Sequence, residues 1–332
     1  MKNNLSIKII FYSVLLLIFF AGANTSFAKI YPEDITPTII PSSPKPGDSV
    51  TISINTYSTD LNKDKIIWTV NGKVVKSGIA EKSITTTMGA IGKTTTININ
   101  ITDPDGQFVD KIISLSPTQI DLLYQADSSV PPFYQGKALY PHQGQLKITA
   151  MPVFIDSYGV KINPSNLIYK WRKDDVVLGS LSGYGKQTLN LQGSAISNSI
   201  TINVEVMSVD GSISGSQEIT ITPTQPNILF YKNSPLYGVM YENALAGTYK
   251  LDSAEVSISA VPFYYNNQNI NSLNYSWVVN SNAVDGQTNT KTFRPVGDIE
   301  GSSQVSVRVE NPIKFLQYAT KDLMINFNSS AH

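Results

Sequence analysis

The chain has no cysteine. That absence removes disulfides, thiolate nucleophiles, zinc–thiolate sites and the lipid-bearing N-terminal cysteine of a lipoprotein. Histidine is nearly missing as well: His142 and His332 are the only two. Two isolated histidines cannot build a triad or a three-ligand metal site, and both read as solvated surface. Charge is sparse, at 15% Asp, Glu, Lys and Arg, and the 25 basic residues balance the 25 acidic ones. With no basic excess to neutralise phosphates, nucleic-acid binding is not expected. No glycine-rich loop precedes a helical pattern, so no phosphate cradle is visible. No convincing helical period runs anywhere, and past the N-terminus no long apolar run remains to span a membrane.

What is present begins with an address. Lys2 and Lys8 precede a run from Ile9 to Ala23 that is almost wholly apolar, and Ser26-Phe27-Ala28 follows with small residues at the positions a signal peptidase reads. The pattern predicts a secretory signal peptide over residues 1–28, cleaved after Ala28. An uncleaved anchor is the alternative and would be the chain's one membrane contact; the run is about 15 residues, short of the ~20 that a span needs. Cleavage leaves 23 basic and 25 acidic residues, a net charge of −2. The expected location is extracellular, free or at the cell surface.

Three tryptophans then organise the chain. They sit in Ile66-Ile67-Trp68-Thr69-Val70, Ile168-Tyr169-Lys170-Trp171-Arg172 and Asn274-Tyr275-Ser276-Trp277-Val278. A period of two puts Ile66, Tyr169 or Tyr275 on the same strand face as its Trp. Downstream of each Trp lies an alternating run: Ile97, Ile99 and Ile101; Ile202, Val204 and Val206; Val305, Val307 and Val309. Trp68 precedes Ile99 by 31 positions, Trp171 precedes Val204 by 33 and Trp277 precedes Val307 by 30. Fixed core strands with loops of variable length give such small shifts. Asn71-Gly72 marks a hairpin directly after the first Trp strand. Residues 29–45, with Pro32, Pro37, Pro41 and Pro44, read as a linker-like lead. Pro117 to Tyr124 parallels Pro223 to Phe230 as a boundary segment.

The expected fold is therefore all-β: three tandem Ig-like β-sandwich domains after the leader, over residues 29–118, 119–225 and 226–330. The core residues are Trp68, Trp171 and Trp277. The second and third copies carry an extra Tyr- and Pro-containing stretch before their alternating strands.

The lead Pro44-Lys45-Pro46-Gly47-Asp48-Ser49-Val50, the Trp strand and the Asp-Gly turn together resemble bacterial Ig-like and PKD-type repeats of surface proteins. PKD repeats typically follow their Trp with a Phe-Gly-Asp-Gly-like turn; here the residues are Thr69-Val70-Asn71-Gly72, Arg172-Lys173-Asp174-Asp175 and Val278-Val279-Asn280-Ser281, which favours the broader Ig-like class. The resemblance implies a surface location and no particular activity.

Chemistry-bearing candidates are few. Asp103-Pro104-Asp105-Gly106 offers two carboxylates, so Asp103 and Asp105 are the candidates for a Ca2+ site, with Asp174-Asp175 behind them. The same tetrapeptide is an ordinary β-turn, the other copies lack it, and the distal Glu of a calcium loop is missing; no catalytic residue and no bound cofactor are expected. The surplus lies in aromatics: Phe133, Tyr134 and Tyr140, then Tyr231, Tyr237, Tyr241, Tyr249 and Phe263-Tyr264-Tyr265. These rings either cover inter-domain joints or bind a partner, with Tyr134, Tyr237 and Tyr241 as the binding candidates. The leading expectation is a non-enzymatic spacer, adhesion or protein-interaction scaffold. The alternative is a carbohydrate-binding protein that recognises a cell-wall or matrix polysaccharide through the Tyr-rich stretches. A partner is expected to be a protein or glycan.

Overall fold

The computed structural model describes residues 29–156, 158–194, 198–297 and 300–327. Residues 1–28, read from the sequence as a leader, and His332 lie outside them. Among the described residues there is no α-helix, only four short 3-10 turns, and nothing long and apolar enough to cross a membrane as a helix. The chain is a series of antiparallel sandwiches in two compact units, one ending at Ser116 and the other beginning at Pro117.

The first unit holds β1 (Thr36–Ile40), β2 (Ser49–Asn55), β3 (Lys65–Val70), β4 (Lys73–Ile79), β5 (Ser83–Thr87), β6 (Thr95–Thr102) and β7 (Phe108–Leu115). They form a three-stranded sheet β1-β2-β5 facing a four-stranded sheet β4-β3-β6-β7. The proline-rich lead is not a linker. Ile30 and Ile35 are buried in this core, and Pro37 sits within β1. Proline is tolerated there because β1 is an edge strand, whose missing N–H costs no ladder bond.

The second unit holds two sandwiches. One comprises β8 (Gln119–Ala126), β9 (Gln145–Val153), β10 (Ile168–Lys173), β11 (Val176–Val177), β12 (Gly183–Tyr184), β13 (Thr188–Gln192), β14 (Ile200–Met207) and β15 (Ser214–Ile221). Its sheets are β8-β9-β13 and β11-β10-β14-β15, with β12 on β10. The other comprises β16 (Asn227–Ser234), β17 (Gly238–Leu245), β18 (Thr248–Leu251), β19 (Val256–Phe263), β20 (Asn274–Val279), β21 (Asn282–Val284), β22 (Thr290–Phe293), β23 (Gly301–Glu310) and β24 (Tyr318–Phe327). Its sheets are β17-β16-β19-β22 and β18-β24-β23-β20-β21, with β18 parallel to β24. The segments read as boundaries, Pro117 to Tyr124 and Pro223 to Phe230, lie largely in β8 and β16, the opening strands of these two sandwiches. Inward Ile120 and Ile228 tie them to their cores.

All three indoles are buried, at 0%, 0% and 1% exposure for Trp68, Trp171 and Trp277. Each lies directly opposite the residue that the spacing singled out: Trp68 opposite Ile99, Trp171 opposite Val204, Trp277 opposite Val307. A buried indole N–H needs an acceptor, and the fold supplies the same one three times. Trp68 Nε1 donates to the Glu81 carbonyl at 2.6 Å, Trp171 to Lys186 at 2.8 Å and Trp277 to Thr288 at 2.8 Å. Every acceptor stands two residues before the last strand, in chain order, of the facing sheet.

The hairpin after each Trp strand is also one object written three ways. Asn71 and Gly72, Asp174 and Asp175, and Asn280 and Ser281 all have positive φ at both central positions, which is the two-residue turn whose twist matches its strands. In each, the first side chain accepts a backbone N–H from the alternating strand beside the Trp strand: Asn71 from Thr96 of β6, Asp174 from Thr201 of β14, Asn280 from Gln304 of β23, all at 2.9 Å. Asp174-Asp175 is thus a turn device.

Candidate functional site

The site grows from a break in alternation. Ile228-Leu229-Phe230-Tyr231 is a run of four apolar or aromatic residues in β16, and β19 ends Ala260-Val261-Pro262-Phe263. A strand buried on one face alternates; one covered on both faces does not. Ile228, Phe230, Ile258 and Ala260 point into the sandwich core. Leu229, Tyr231, Val261 and Phe263 point the other way and form a separate cluster on the outer face, joined by Val239, Tyr241 and Tyr264.

Two segments frame that outer face. One is β17, whose pairing with β16 slips between Tyr231 and Asn233, so that Tyr231 faces Ala244 while Asn233 faces Val239. The surplus residues bulge, a device that re-aims side chains. Tyr241 comes to rest on Tyr231, ring centroids 5.4 Å apart. The other is the loop of residues 127–144 of the preceding sandwich. Its Tyr134 meets the edge of Phe263 at 5.6 Å and 86°, and its hydroxyl hydrogen-bonds that of Tyr264 at 2.8 Å. An edge-to-face pair of this kind contributes about 0.5–1.5 kcal/mol beyond its buried area.

The loop is fastened by a buried polar joint. Ser129 N donates to the Tyr265 carbonyl and Tyr264 N to the Ser129 carbonyl, both at 2.7 Å. Gln317, fully buried, accepts from Asn266 N at 3.0 Å and from Asn311 Nδ2 at 2.9 Å, and donates to the His142 carbonyl at 2.6 Å. Gln143 Oε1 accepts from Leu316 N at 2.9 Å. His142 is therefore half-buried in a joint, not solvated. Burial holds its imidazole below its usual value. Buried polar groups satisfied in this way fix one geometry, because any other leaves them unpaired.

Between loop and sheet lies a cleft of about 550 Å³, walled by Pro131, Phe133, Tyr134, Tyr231, Tyr241 and Phe263, with Gln135 and Glu242 as its polar groups. The volume and the mix of apolar wall with few polar points suit a ligand site. Strain accompanies it. Phe133 and Tyr264 hold φ of +65° and +61°, a region bulky residues seldom adopt and one that recurs at functional sites. Gly136 is required by contact: a Cβ there would meet the Tyr134 ring at 2.4 Å. Burial, and then the bond from Tyr134, push the Tyr264 phenol up to about 12. Glu242 is the one carboxylate on the walls, so the cleft lacks the pair that glycoside hydrolysis uses.

Of the residues singled out from the sequence, Tyr134 and Tyr241 line the cleft. Tyr237 does not; it stands 77% exposed at the β16–β17 turn. Tyr140, Tyr249 and Tyr265 belong to or pack on the sandwich cores. Tyr231 and Phe263 were visible as aromatics, and only the loss of alternation marks them as outward wall residues. Asp103 accepts the Gln107 N–H at 2.8 Å across its own turn, and Asp105 is exposed beside it. Among the described residues no three His, Cys, Asp or Glu side chains cluster as a metal site.

No protein-family model matches the chain, and no curated protein matches it. Solved structures do. The chain is similar to the three N-terminal domains of the Highly Immunogenic Outer Capsid protein (Hoc) of bacteriophage RB49, with 12% identity over 89% of this chain and 98% of that one and a TM-score of 0.27. It is similar to immunoglobulin domains 1–5 of Sidekick-1, with 12% identity over 88% and 59% of the two chains and a TM-score of 0.29. It is also similar to SGBP-B of the Bacteroides ovatus mixed-linkage glucan utilization locus, solved in complex with a mixed-linkage heptasaccharide, with 12% identity over 88% and 70% and a TM-score of 0.21. Sheets, registers and cores define a multi-domain Ig-like β-sandwich protein.

Proposed function

We propose that this is a non-enzymatic, exported scaffold of the cell surface or extracellular space, of the bacterial Ig-like and PKD-like kind, that recognises a protein partner at the aromatic cleft of residues 131–135, 229–242 and 263. One observation carries the reading: an apolar cluster on the outer face of a sheet, partly capped by a strained and hydrogen-bonded loop, with ring faces left open. Contiguous apolar surface rimmed by polar groups marks contact sites, and Tyr supplies much of the energy at such contacts. The N-terminal pattern supports export. The leader would be removed after Ala28, and no bound metal or cofactor is needed.

A second reading is favoured by the same walls. Tyr134, Tyr231 and Tyr241 beside Gln135 and Glu242 offer ring faces and hydrogen-bonding points suited to a polysaccharide.

Site-specific photocrosslinking on the producing cells tests the proposal. A photoreactive residue at position 241 is expected to capture a defined protein band that the same residue at exposed Thr51 on the first sandwich does not. Equal labelling at both positions would contradict it, and a polysaccharide smear in place of a band would select the second reading.

A further inference from the structure

The loop of residues 127–144 has two sides. On the side away from the aromatic cleft lies a groove of about 670 Å³ over the outer face of the sheet β8-β9-β13. Its floor is a row of side chains from three neighbouring strands: Gln125 of β8 is opposite Lys147 of β9, which is opposite Asn190 of β13. The three are exposed, and their side chains have no hydrogen-bond or ion-pair partner among the described residues. The rims are tied down. Gln192 Nε2 donates to the Gln143 carbonyl at 2.8 Å, Asn267 Nδ2 to Asp127 Oδ1 at 2.9 Å and Gln268 Nε2 to Gln145 Oε1 at 3.4 Å.

We infer that this groove binds a neutral, hydroxyl-rich oligosaccharide along the Gln125–Lys147–Asn190 row. Each free amide offers two N–H donors and a carbonyl acceptor, and the ammonium offers three donors. A ligand group that both donates and accepts satisfies such a set, and vicinal hydroxyls do so. The strands are ~4.8 Å apart, about the width of one pyranose ring, so the successive amide, ammonium and amide groups of the row meet successive hydroxyls of a chain laid across the sheet. Lys147 and the Asn267-bonded Asp127 leave the groove without net charge, which disfavours an ionic ligand. A polypeptide fits less well. The groove lies over the face of the sheet, where a peptide cannot extend the backbone ladder and its own N–H and C=O groups stay unpaired. The inference does not depend on the aromatic cleft, whose walls are different residues.

Calorimetric titration of the full chain with neutral hexasaccharides (cello-, xylo-, manno- and N-acetylchito-) tests it. At least one is expected to saturate. The double variant Gln125→Ala/Asn190→Ala should weaken that binding roughly tenfold or more, and Tyr241→Ala should leave it unchanged. Both altered residues are exposed and unbonded, so the melting curve should be unmoved, confirming that the variant is folded. Saturation by none of the four, or weakening by Tyr241→Ala with the double variant unaffected, overturns the inference.

Discussion

At the scale of single residues, stability turns on buried groups with one obligatory partner. Trp68 is the only tryptophan of the first compact unit, so its fluorescence reports that unit alone. Trp68→Ala should cost about 3–5 kcal/mol, a large part of a small domain's stability of roughly 5–15 kcal/mol. Trp68→Phe keeps most of the volume but leaves the Glu81 carbonyl without its donor, and should cost less, about 1–3 kcal/mol. Denaturant unfolding with circular dichroism checks both; a Trp68→Phe cost near zero would mean that the indole N–H does nothing. Asp64 gives a pH dependence in the same unit. It is fully buried, and burial, together with the nearby Asp103 and Asp60, raises its carboxyl above the usual 3.8, while Thr59 Oγ1, donating at 2.8 Å, offsets part of that. The folded chain therefore keeps this proton to higher pH than the unfolded chain. The resulting stability is fully present below 3.8 and is lost as pH rises through the folded value. Asp64→Asn should abolish that loss, so the stability difference should shift in the variant's favour as pH rises above 3.8. A gap independent of pH would contradict the burial assignment.

At the scale of elements, turns and the joint decide matters. Asp175 occupies a turn position with φ of +65°, where glycine carries no Cβ penalty. Asp175→Gly should stabilise the second sandwich by roughly 0.5–1 kcal/mol, and unfolding midpoints measure it. Asp103 is already engaged by the Gln107 N–H, so adding Ca2+ or removing it with a chelator should leave the melting temperature of the first sandwich unmoved; a clear upward shift with Ca2+ would restore the metal reading of Asp103 and Asp105. In the joint, Gln317→Ala strips partners from Asn266 N, Asn311 Nδ2 and the His142 carbonyl together, and should cost at least about 1–3 kcal/mol. His142 adds a pH signature. Its folded value lies below the ordinary 6.5, so the unfolded chain takes up this proton first as pH falls. The joint's stability is complete above that ordinary value and declines as pH drops through it.

For the molecule as a whole, much of the architecture was legible. A strand carrying Trp, repeated at nearly constant distance from an alternating strand, placed three sandwich cores and the strand each Trp packs against, because register follows the apolar pattern. The remainder is hidden in the sequence for physical reasons. The proline-rich lead hid β1, since edge strands accept the residue that marks loops. The Asp-Asp and Asn-Ser hairpins hid behind residue types other than Asn-Gly, since Asp, Asn and Ser tolerate the left-handed region less visibly than glycine. The aromatic cleft is partly legible: Tyr134 and Tyr241 stood out by type, whereas Tyr231 and Phe263 became wall residues only through the face they occupy. The polar row Gln125–Lys147–Asn190 left no trace, because it is assembled across three strands that lie far apart in sequence.

Both proposed sites flank one loop, and that loop is held by contacts between the second and third sandwiches. Those two should then behave as a single cooperative body. The direct measurement is differential scanning calorimetry of residues 117–327 beside separately produced 117–225 and 226–327. One transition, at a temperature above that of either half, is the predicted result. Two transitions that reproduce the separate halves would contradict a built joint and, with it, the cleft and the groove.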